Sequence, residues 1–225
     1  MRKTCGAVIV AAGSARRMGG IDKIMTPLGG VPLLLQTVRA LSASNRLDTI
    51  TVVTRAELVD AIKALCAGEE KVHCVLAGGE TRAQSVLCGL KTLQTELAAI
   101  HDGARPLVPL AVIDAAISAA EADGAAAPAI PVHDTIKVAQ NGVVLQTPER
   151  STLFAVQTPQ VFARELILAA LQEALRRGLP LTDDCSAAEA AGARVVLTPG
   201  SEENLKITVP TDLTLAQAIL DGRKL

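Results

Sequence analysis

Residues 6–23 read Gly-Ala-Val-Ile-Val-Ala-Ala-Gly-Ser-Ala-Arg-Arg-Met-Gly-Gly-Ile-Asp-Lys, an apolar run that continues directly into a small, cationic segment. Residues 7–10 are unbroken apolar, which is typical of a parallel strand covered on both faces. The small residues 11–13 that follow let the backbone approach a ligand, and backbone N–H groups with nearby cations could surround a polyphosphate. The cations of this segment are Arg16, Arg17 and Lys23. The stretch therefore predicts a strand followed by a phosphate-binding loop.

Other interpretations of this stretch are weaker. No Gly is followed at P-loop spacing by Gly-Lys-Ser/Thr, and Gly13-Ser14-Ala15 does not open a Gly-x-Gly-x-x-Gly motif. A P-loop NTPase and a standard dinucleotide fold are therefore disfavoured. Arg2 and Lys3 before the apolar run imitate a secretory signal, but that run is short and Arg16-Arg17-Met18 follows at once. We prefer the strand and loop.

The composition is that of an ordinary globular protein. The 225 residues, 49% of them hydrophobic and 20% charged, can bury the core of one α/β domain. The apolar runs are interrupted before the roughly 18 residues that a membrane-spanning helix needs. A net charge of -1, no Trp, no Tyr and two Phe offer nucleic acid neither a basic field nor stacking rings. We therefore expect no membrane span and no nucleic-acid partner.

The cysteines are scattered without metal-binding spacing, and their odd number fits reduced thiols in a cytoplasmic protein. They are Cys5, Cys66, Cys74, Cys88 and Cys185. We expect them to be small core residues.

Strand and helix patterns alternate after the first loop. The predicted strands are 50–54, 72–76, 98–100, 125–130, 154–158, 194–197 and 205–208, and the predicted helices include 57–67, 110–120, 164–177, 183–191 and 211–220. This alternation predicts an α/β fold with a Rossmann-like, mostly parallel sheet flanked by helices. Because ligands bind beyond the carboxyl ends of such strands, we expect residues 11–13, 78–85 and 102–105 to share one crevice.

Residues 132–147 predict an extended β-hairpin arm. Segments 136–140 and 143–146 flank Asn141-Gly142, the strongest short-range hairpin signal. Because a two-stranded ribbon is marginal in water, the arm should pack on its own domain or on a second subunit. With no internal repeat and no linker, we predict a single domain over residues 1–225 with a β-arm at about 132–150.

Few side chains carry obvious chemistry. Asp102 is the best candidate metal ligand, because Mg²⁺ is usually held by one or two carboxylates plus substrate phosphates. The alternative is a turn aspartate, which Arg105 nearby makes less attractive. Asp183 and Asp184 indicate a helix N-terminus. Lys206 could protect a strand edge or face a phosphate, and sequence alone favours the edge. We assign no catalytic role to a histidine.

Several short segments together resemble the 2-C-methyl-D-erythritol 4-phosphate cytidylyltransferases. They are Ala11-Ala12-Gly13 with Arg16-Arg17-Met18 and Lys23, Gly78-Gly79-Glu80-Thr81-Arg82 with Ser85, His101-Asp102-Gly103-Ala104-Arg105-Pro106, Asp134-Thr135-Ile136-Lys137, Gln157-Thr158-Pro159-Gln160, Thr182-Asp183-Asp184 and Asn204-Leu205-Lys206. Their order spans essentially the whole chain, and the combination is specific to cytidylyltransferases of this type. The chain departs from the family pattern at Ala15 and Asp22, and it has one residue fewer between Met18 and Lys23.

The resemblance implies a cytoplasmic, homodimeric nucleotidyltransferase of the non-mevalonate isoprenoid route. It would join CTP and 2-C-methyl-D-erythritol 4-phosphate, giving 4-diphosphocytidyl-2-C-methyl-D-erythritol and pyrophosphate, with Mg²⁺ or another divalent cation. The nucleophile would be a phosphate monoester, whose second pKa of about 6 leaves it largely ionised at neutral pH, so no general base is needed. The step needs neutralisation of phosphate charge instead.

The resemblance also implies a role for each matching residue. Those assigned to the triphosphate and the attacked α-phosphorus are Arg17, Lys23 and Lys206. Those assigned to the cytosine and ribose pocket are Ala11, Ala12, Gly13, Gly79, Glu80 and Ser85. Asp102 would hold the metal. Those assigned to the methylerythritol phosphate are Asp102, Arg105 and Thr158, with Thr135 and Arg150 reaching in from the arm of a partner subunit.

Two alternatives stay open from the sequence. Ribitol 5-phosphate cytidylyltransferases share the fold and the CTP site, but Gly103-Ala104 after Asp102 resembles the methylerythritol enzymes, where the ribitol enzymes tend to carry Ser-Val. A non-catalytic nucleotide-binding regulator would keep the pocket without the chemistry. The joint presence of Arg17, Asp102 and Lys206 argues against such a regulator.

Overall fold

An eight-stranded sheet organises residues 2–13 and 23–223, which are the residues that the computed structural model describes. The strands are β1 (Cys5–Val10), β2 (Pro27–Leu28), β3 (Val31–Pro32), β4 (Thr49–Thr54), β5 (Val72–Ala77), β6 (Leu97–Asp102), β7 (Ala125–Pro131), β8 (Val138–Gln140), β9 (Val143–Gln146), β10 (Phe154–Val156), β11 (Gln160–Ala163) and β12 (Val196–Pro199). The sheet has the order β10-β7-β11-β6-β1-β4-β5, with β12 also paired to β7. Only β10 and β11 run against the other strands, so the predicted mostly parallel sheet is confirmed.

Helices cover both faces of this sheet. They are α1 (Leu33–Ser42), α2 (Val59–Leu65), α3 (Arg82–Leu90), α4 (Leu110–Asp123), α5 (Arg164–Arg177), α6 (Asp184–Ala190) and α7 (Pro210–Gly222). Ile9 of β1 packs in the core cluster that holds residues of α1, α2 and α4, whereas Val8 packs in the cluster of α3, α5 and α6. This double coverage explains the unbroken apolar run of β1. Among the described helices, none has both the length and the apolar character required to cross a membrane.

The connection order places a crevice beside β1. The chain proceeds from β1 outward to β4 and β5, and then returns to place β6 on the other side of β1. The carboxyl ends meet there, since Val10 pairs with Asp102 in register and Gly103 N–H donates to the Val10 carbonyl at 2.9 Å. Such a reversal of strand order is where open α/β sheets bind ligands. The predicted convergence of three strand ends is confirmed.

The predicted β-arm is present as the hairpin of β8 and β9. Asn141 and Gly142 both have positive φ, 50° and 79°, as a type I′ turn requires. The first strand begins at Val138, two residues later than the predicted segment 136–140. All residues of both strands are exposed, including Val143 and Leu145 at 65% and 62%.

Some local predictions were wrong. Residues 205–208 form no strand, because Ile207 N–H makes a single backbone hydrogen bond, to the Ala104 carbonyl, and no ladder follows. Residues 57–67 divide into a 3-10 turn (Ala56–Leu58) and the shorter helix α2. The strand β11 was missed, since it is only four residues long and directly follows Pro159. All five thiols are free. Cys5, Cys66 and Cys185 are buried as expected of small core residues, but Cys74 and Cys88 are only half-buried, so the expectation was wrong for these two.

Candidate active site

Asp102 ends β6 at the base of the crevice, with cationic side chains around its carboxylate. Lys206 Nζ lies 2.8 Å from Asp102 Oδ2, and Arg105 Nε lies 3.6 Å from the same oxygen. Arg82 Nη2 lies 3.5 Å from the other oxygen, Oδ1. The residue is only 7% exposed. Arg105 is three residues from Asp102 in the chain, whereas Arg82 and Lys206 belong to distant segments that the fold brings to this carboxylate.

These neighbours keep Asp102 ionised. Burial by itself would raise the pKa of this carboxyl, but the charges of Lys206 and Arg82, and then of Arg105, hold the pKa well below its usual range. Lys206 lies on no strand, so the interpretation of this lysine as edge protection, which the sequence favoured, is wrong. The carboxylate is therefore an anionic centre inside a cationic crevice.

The segment 204–208 crosses the site and links its parts. Ile207 is fully buried, and its N–H donates to the Ala104 carbonyl at 2.9 Å. Lys23 Nζ donates to the Ile207 carbonyl at 3.3 Å. The backbone of Ile207 thus links Lys23 to the segment that carries Lys206. The sequence-predicted cation Arg17 lies outside the described residues.

A buried hydroxyl and imidazole fix the backbone on either side of Asp102. Asp102 N–H donates to Thr158 Oγ1 at 3.1 Å, and that oxygen lies 3.0 Å from His101 Nδ1. His101 Nε2 lies 3.1 Å from the Arg105 carbonyl, which can only accept, so Nε2 carries the proton and Nδ1 accepts from Thr158. Burial lowers the pKa of His101 to about 4, against the effect of the Arg105 carbonyl. The imidazole is neutral and positions the loop 102–105.

Thr158 and Arg105 are themselves anchored by Asn204. Asn204 Nδ2 donates to the Thr158 carbonyl at 2.9 Å, and Arg105 Nη1 donates to the Asn204 carbonyl at 2.5 Å. Burial lowers the pKa of Arg105, and the nearby carboxylate of Asp102 opposes that shift. The two residues that were predicted to contact the acceptor substrate therefore share one buried support.

Arg82 and Asp184 form an ion pair that the sequence analysis missed. Arg82 Nη2 lies 2.8 Å from Asp184 Oδ2, and the Asp184 side chain is 1% exposed. Burial raises the pKa of Asp184, and the charge of Arg82 opposes that shift. Burial alone would lower the pKa of Arg82, but the charges of Asp184 and Asp102 raise the pKa of this guanidinium. Asp183 caps α6 as predicted, because Ser186 N–H donates to its Oδ1 at 2.9 Å. The sequence did not reveal that the adjacent Asp184 faces inward.

The loops that were predicted to line a nucleotide pocket lie against one another. A Cβ added at Gly78 would stand 2.4 Å from Ser85 Oγ and 2.9 Å from the Ala12 Cβ, so only glycine permits this contact. Ser85 is buried and its hydroxyl donates to the Thr81 carbonyl at 2.9 Å. The loop residues predicted for this pocket are Ala11, Ala12, Gly13, Gly79 and Glu80. Ala11 is buried and Ala12 is half-buried. Gly13 and Glu80 are exposed.

Thr135 and Arg150 lie on the arm rather than at the strand ends. Both side chains are exposed, and Arg150 Nη1 donates to the His133 carbonyl at 2.9 Å. Their predicted contact with the site of a second subunit stays a prediction.

Asp102 suits a hard divalent cation. Within residues 2–13 and 23–223, no group of three or more His, Cys, Asp or Glu side chains is arranged to hold a metal ion. Mg²⁺, however, is commonly bound by one or two carboxylates together with substrate phosphates. The ionised oxygens of Asp102 fit that use, and Lys206 would then give up its contact with Oδ2.

The chain is similar to known proteins over nearly its whole length. The sequence profile of the family described as 2-C-methyl-D-erythritol 4-phosphate cytidylyltransferase matches residues 5–222. Relatives of that name from Desulforamulus reducens and Streptomyces avermitilis are 46% and 41% identical, covering 96% and 97% of this chain and 96% and 92% of their own. The crystal structure of 4-diphosphocytidyl-2C-methyl-D-erythritol synthase from Anaerococcus prevotii superposes with a TM-score of 0.87 at 32% identity, covering 97% of this chain and 96% of that one.

Proposed function

The chain belongs to the 2-C-methyl-D-erythritol 4-phosphate cytidylyltransferase family, and we propose that its reaction takes place at the site built around Asp102. As a member of that family it is a cytidylyltransferase, which joins CTP and 2-C-methyl-D-erythritol 4-phosphate in isoprenoid biosynthesis. The observation that carries the proposed site is the contact of Lys206 with Asp102 at the switch point of the sheet.

The reaction exchanges one phosphorus–oxygen bond for another. A phosphate oxygen of methylerythritol phosphate attacks the α-phosphorus of CTP, the bond from that phosphorus to the β-phosphate oxygen breaks, and pyrophosphate leaves with the electron pair. The attacking monoester is already ionised at neutral pH, since its second pKa is about 6. The protein therefore has to position the reactants and neutralise charge rather than remove a proton.

Lys206 is the residue best placed to stabilise the negative charge that develops around the α-phosphorus during the reaction. Its ammonium contacts Asp102, and its side chain is 42% exposed. A nucleotide phosphate would offer this ammonium a more highly charged partner. Lys23, linked through Ile207 to the segment that carries Lys206, and Arg17 would neutralise the triphosphate.

Mg²⁺ or another divalent cation would be held by Asp102 together with the phosphates of CTP. The bound cation would neutralise charge on the leaving pyrophosphate. The chain's own contribution is an ionised carboxylate whose backbone N–H is fixed by the Thr158 hydroxyl.

The two substrates would occupy different walls of the crevice. The small loop residues after β1 and β5, with Ser85, would admit the cytosine and ribose of CTP without steric hindrance. Arg105 and Thr158, together with Asp102, would contact the methylerythritol phosphate, and their common support on Asn204 would keep this wall rigid.

A homodimer formed through the arm would complete the site. The arm exposes Val143, Val144 and Leu145, a run of apolar side chains that is unfavourable in water and typical of an interface. Thr135 and Arg150 on the same arm would then reach the acceptor phosphate of the partner. The domain would thus be a single nucleotidyltransferase unit, residues 1–225, which works as a dimer in the cytoplasm.

A pyrophosphate-release assay tests the proposal. CTP is supplied with 2-C-methyl-D-erythritol 4-phosphate or with ribitol 5-phosphate, each with Mg²⁺ and with EDTA. We expect release with methylerythritol phosphate and Mg²⁺, and family membership together with Gly103-Ala104 favours this acceptor over ribitol 5-phosphate. Pyrophosphate release with ribitol 5-phosphate but not with methylerythritol phosphate would support the alternative acceptor. CTP binding without pyrophosphate release from either acceptor would support a non-catalytic regulator.

A further inference from the structure

Asp184 is a buried carboxylate that has no role in the reaction proposed above. It is the first residue of α6, with a side chain that is 1% exposed. Its Oδ2 accepts a hydrogen bond from Arg82 Nη2 at 2.8 Å. A charge this deeply buried is costly unless it is paired, so the pair has a structural or functional reason.

Arg82 connects Asp184 to the site. The nitrogen that donates to Asp184 also lies 3.5 Å from Asp102 Oδ1, and the guanidinium is 33% exposed. Arg82 begins α3, immediately after the loop that bears Gly79 and Glu80. One guanidinium nitrogen is therefore shared between a buried carboxylate and the carboxylate at the centre of the site.

Asp184 is held on the same sheet that carries Asp102. Its backbone N–H donates to Gln160 Oε1 at 3.0 Å, and Gln160 Nε2 donates to Asp183 Oδ2 at 2.8 Å. Gln160 pairs in β11 with Ile100, two residues before Asp102 in β6. Asp184 is thus fixed to β11, which pairs with the strand that carries Asp102, and Arg82 contacts both carboxylates.

We propose that Asp184 is a positioning residue for cytidylyl transfer, which holds Arg82 against Oδ1 of Asp102 and thereby fixes the orientation of that carboxylate. Lys206 contacts the other oxygen, Oδ2, at 2.8 Å. When Lys206 turns toward a nucleotide phosphate, the Asp184–Arg82 pair keeps Asp102 in place. The inference rests on the proposed role of Asp102. The competing explanation is that the pair serves only to attach α6 to α3.

Single substitutions cannot separate the two explanations. A change at Arg82 would leave the buried Asp184 without its partner and destabilise the fold, and a change at Asp184 would leave Arg82 in contact with Asp102. The informative variant is Arg82→Met/Asp184→Leu, which removes both charges and replaces them by apolar groups. A control for the loss of an ion pair elsewhere is Arg46→Met/Glu121→Leu, whose parent side chains are 26% and 28% exposed. That pair has a comparable separation of 2.6 Å, but it joins the segment before β4 to the last part of α4, away from the strand ends that form the site.

Thermal unfolding, kcat and the KM of both substrates are measured for each variant. We expect Arg82→Met/Asp184→Leu to keep the melting temperature of the control pair while its kcat falls by roughly 10- to 100-fold, because a misplaced catalytic group costs rate rather than folding. The KM of CTP should change by less than about threefold. A well-folded variant with the parent's kcat would overturn the inference.

A second neutral pair keeps the test decisive if the apolar pair does not fold. Arg82→Gln/Asp184→Asn retains a side-chain hydrogen bond without charge, and the same fall in kcat is expected. Asp102→Asn is assayed alongside. If Asp102→Asn keeps its activity, the proposed site itself is wrong; if Asp102→Asn is inactive while the neutral pair has the parent's kcat, only the role of Asp184 is wrong.

Discussion

Lys206 and Asp102 meet at 2.8 Å, although one lies on an irregular segment near the end of the chain and the other ends a central strand. The ammonium is one of the charges that keep Asp102 ionised, and it occupies an oxygen that a divalent cation would need. Binding of nucleotide and metal would therefore exchange the partners of both groups.

Asp102→Asn should reduce turnover by roughly 10²-fold or more while the protein stays folded, because the change is nearly isosteric but removes the charge that binds Mg²⁺. Turnover is measured at saturating Mg²⁺ with both substrates, and folding by thermal unfolding. Asp123→Asn, an exposed aspartate at the end of α4, is the matched control. Activity of Asp102→Asn within a few-fold of the control would show that Asp102 is not a ligand.

Lys206→Ala should lower kcat by roughly 10²-fold or more, with a smaller effect on the KM of CTP, since a cation at the α-phosphorus acts mainly where charge develops. Steady-state kinetics with varied CTP separate the two constants. Lys63→Ala, on the outside of α2, should change neither constant. An effect confined to KM would make Lys206 a ground-state binding residue.

Stability should depend on pH through His101. Its pKa in the fold is lowered to about 4, whereas an unfolded histidine titrates near ~6.5. Between these values the unfolded chain binds a proton that the folded chain does not, so the free energy of unfolding falls as pH falls through this window. The slope from this residue approaches about 1.4 kcal/mol per pH unit.

Urea unfolding in EDTA at several values between pH 5 and 7 measures this slope, which should approach about one proton per molecule near pH 5 and decrease toward pH 7. The His101→Gln variant should lack the contribution of this imidazole to the pH dependence of the free energy of unfolding, whatever its stability at neutral pH. Equal slopes for the parent and His101→Gln would show that this imidazole titrates in the fold much as it does in the unfolded chain.

Mixed dimers should recover activity if the arm completes the partner's site. Asp102→Asn disables the site on its own core, and Arg150→Ala disables the site that its arm reaches, so each homodimer should be nearly inactive. In a mixed dimer, the core of the Arg150→Ala chain and the arm of the Asp102→Asn chain form one intact site. With random pairing about half of the dimers are mixed, so roughly a quarter of the parent activity should return.

The chains must be co-expressed or allowed to exchange, and mixed dimers are confirmed with two affinity tags. Mixed dimers without activity would mean that Arg150 serves its own subunit. A parent protein that is monomeric at assay concentration would overturn the dimer itself.

The sequence predicted the parts of this protein in which a local pattern and the tertiary fold agree. The apolar run of β1, the Asn141-Gly142 turn and the Asp183 cap all appear in the structure, because each depends on burial or backbone geometry encoded within a few residues. The crevice was predicted because the carboxyl ends of parallel strands meet at one edge.

What the sequence did not reveal depends on contacts between distant segments. The pairing of Arg82 with Asp184 and the inward direction of Lys206 have no local pattern, since a charged residue in a loop is usually solvated. His101 was given no role, because its hydrogen bonds to Thr158 and Arg105 exist only in the folded chain. β11 was missed because four residues directly after Pro159 are too short a run to show a strand pattern, and only its pairing with β6 and β7 in the folded chain defines it.

The crowding of cations around Asp102 also bears on how fast the anionic substrates arrive. The whole chain carries a net charge of -1, yet Lys23, Arg82, Arg105 and Lys206 gather near one crevice. Such a local positive potential attracts a triphosphate over a distance of about one Debye length, roughly 8 Å at physiological ionic strength. The association rate of CTP should therefore fall as salt is added.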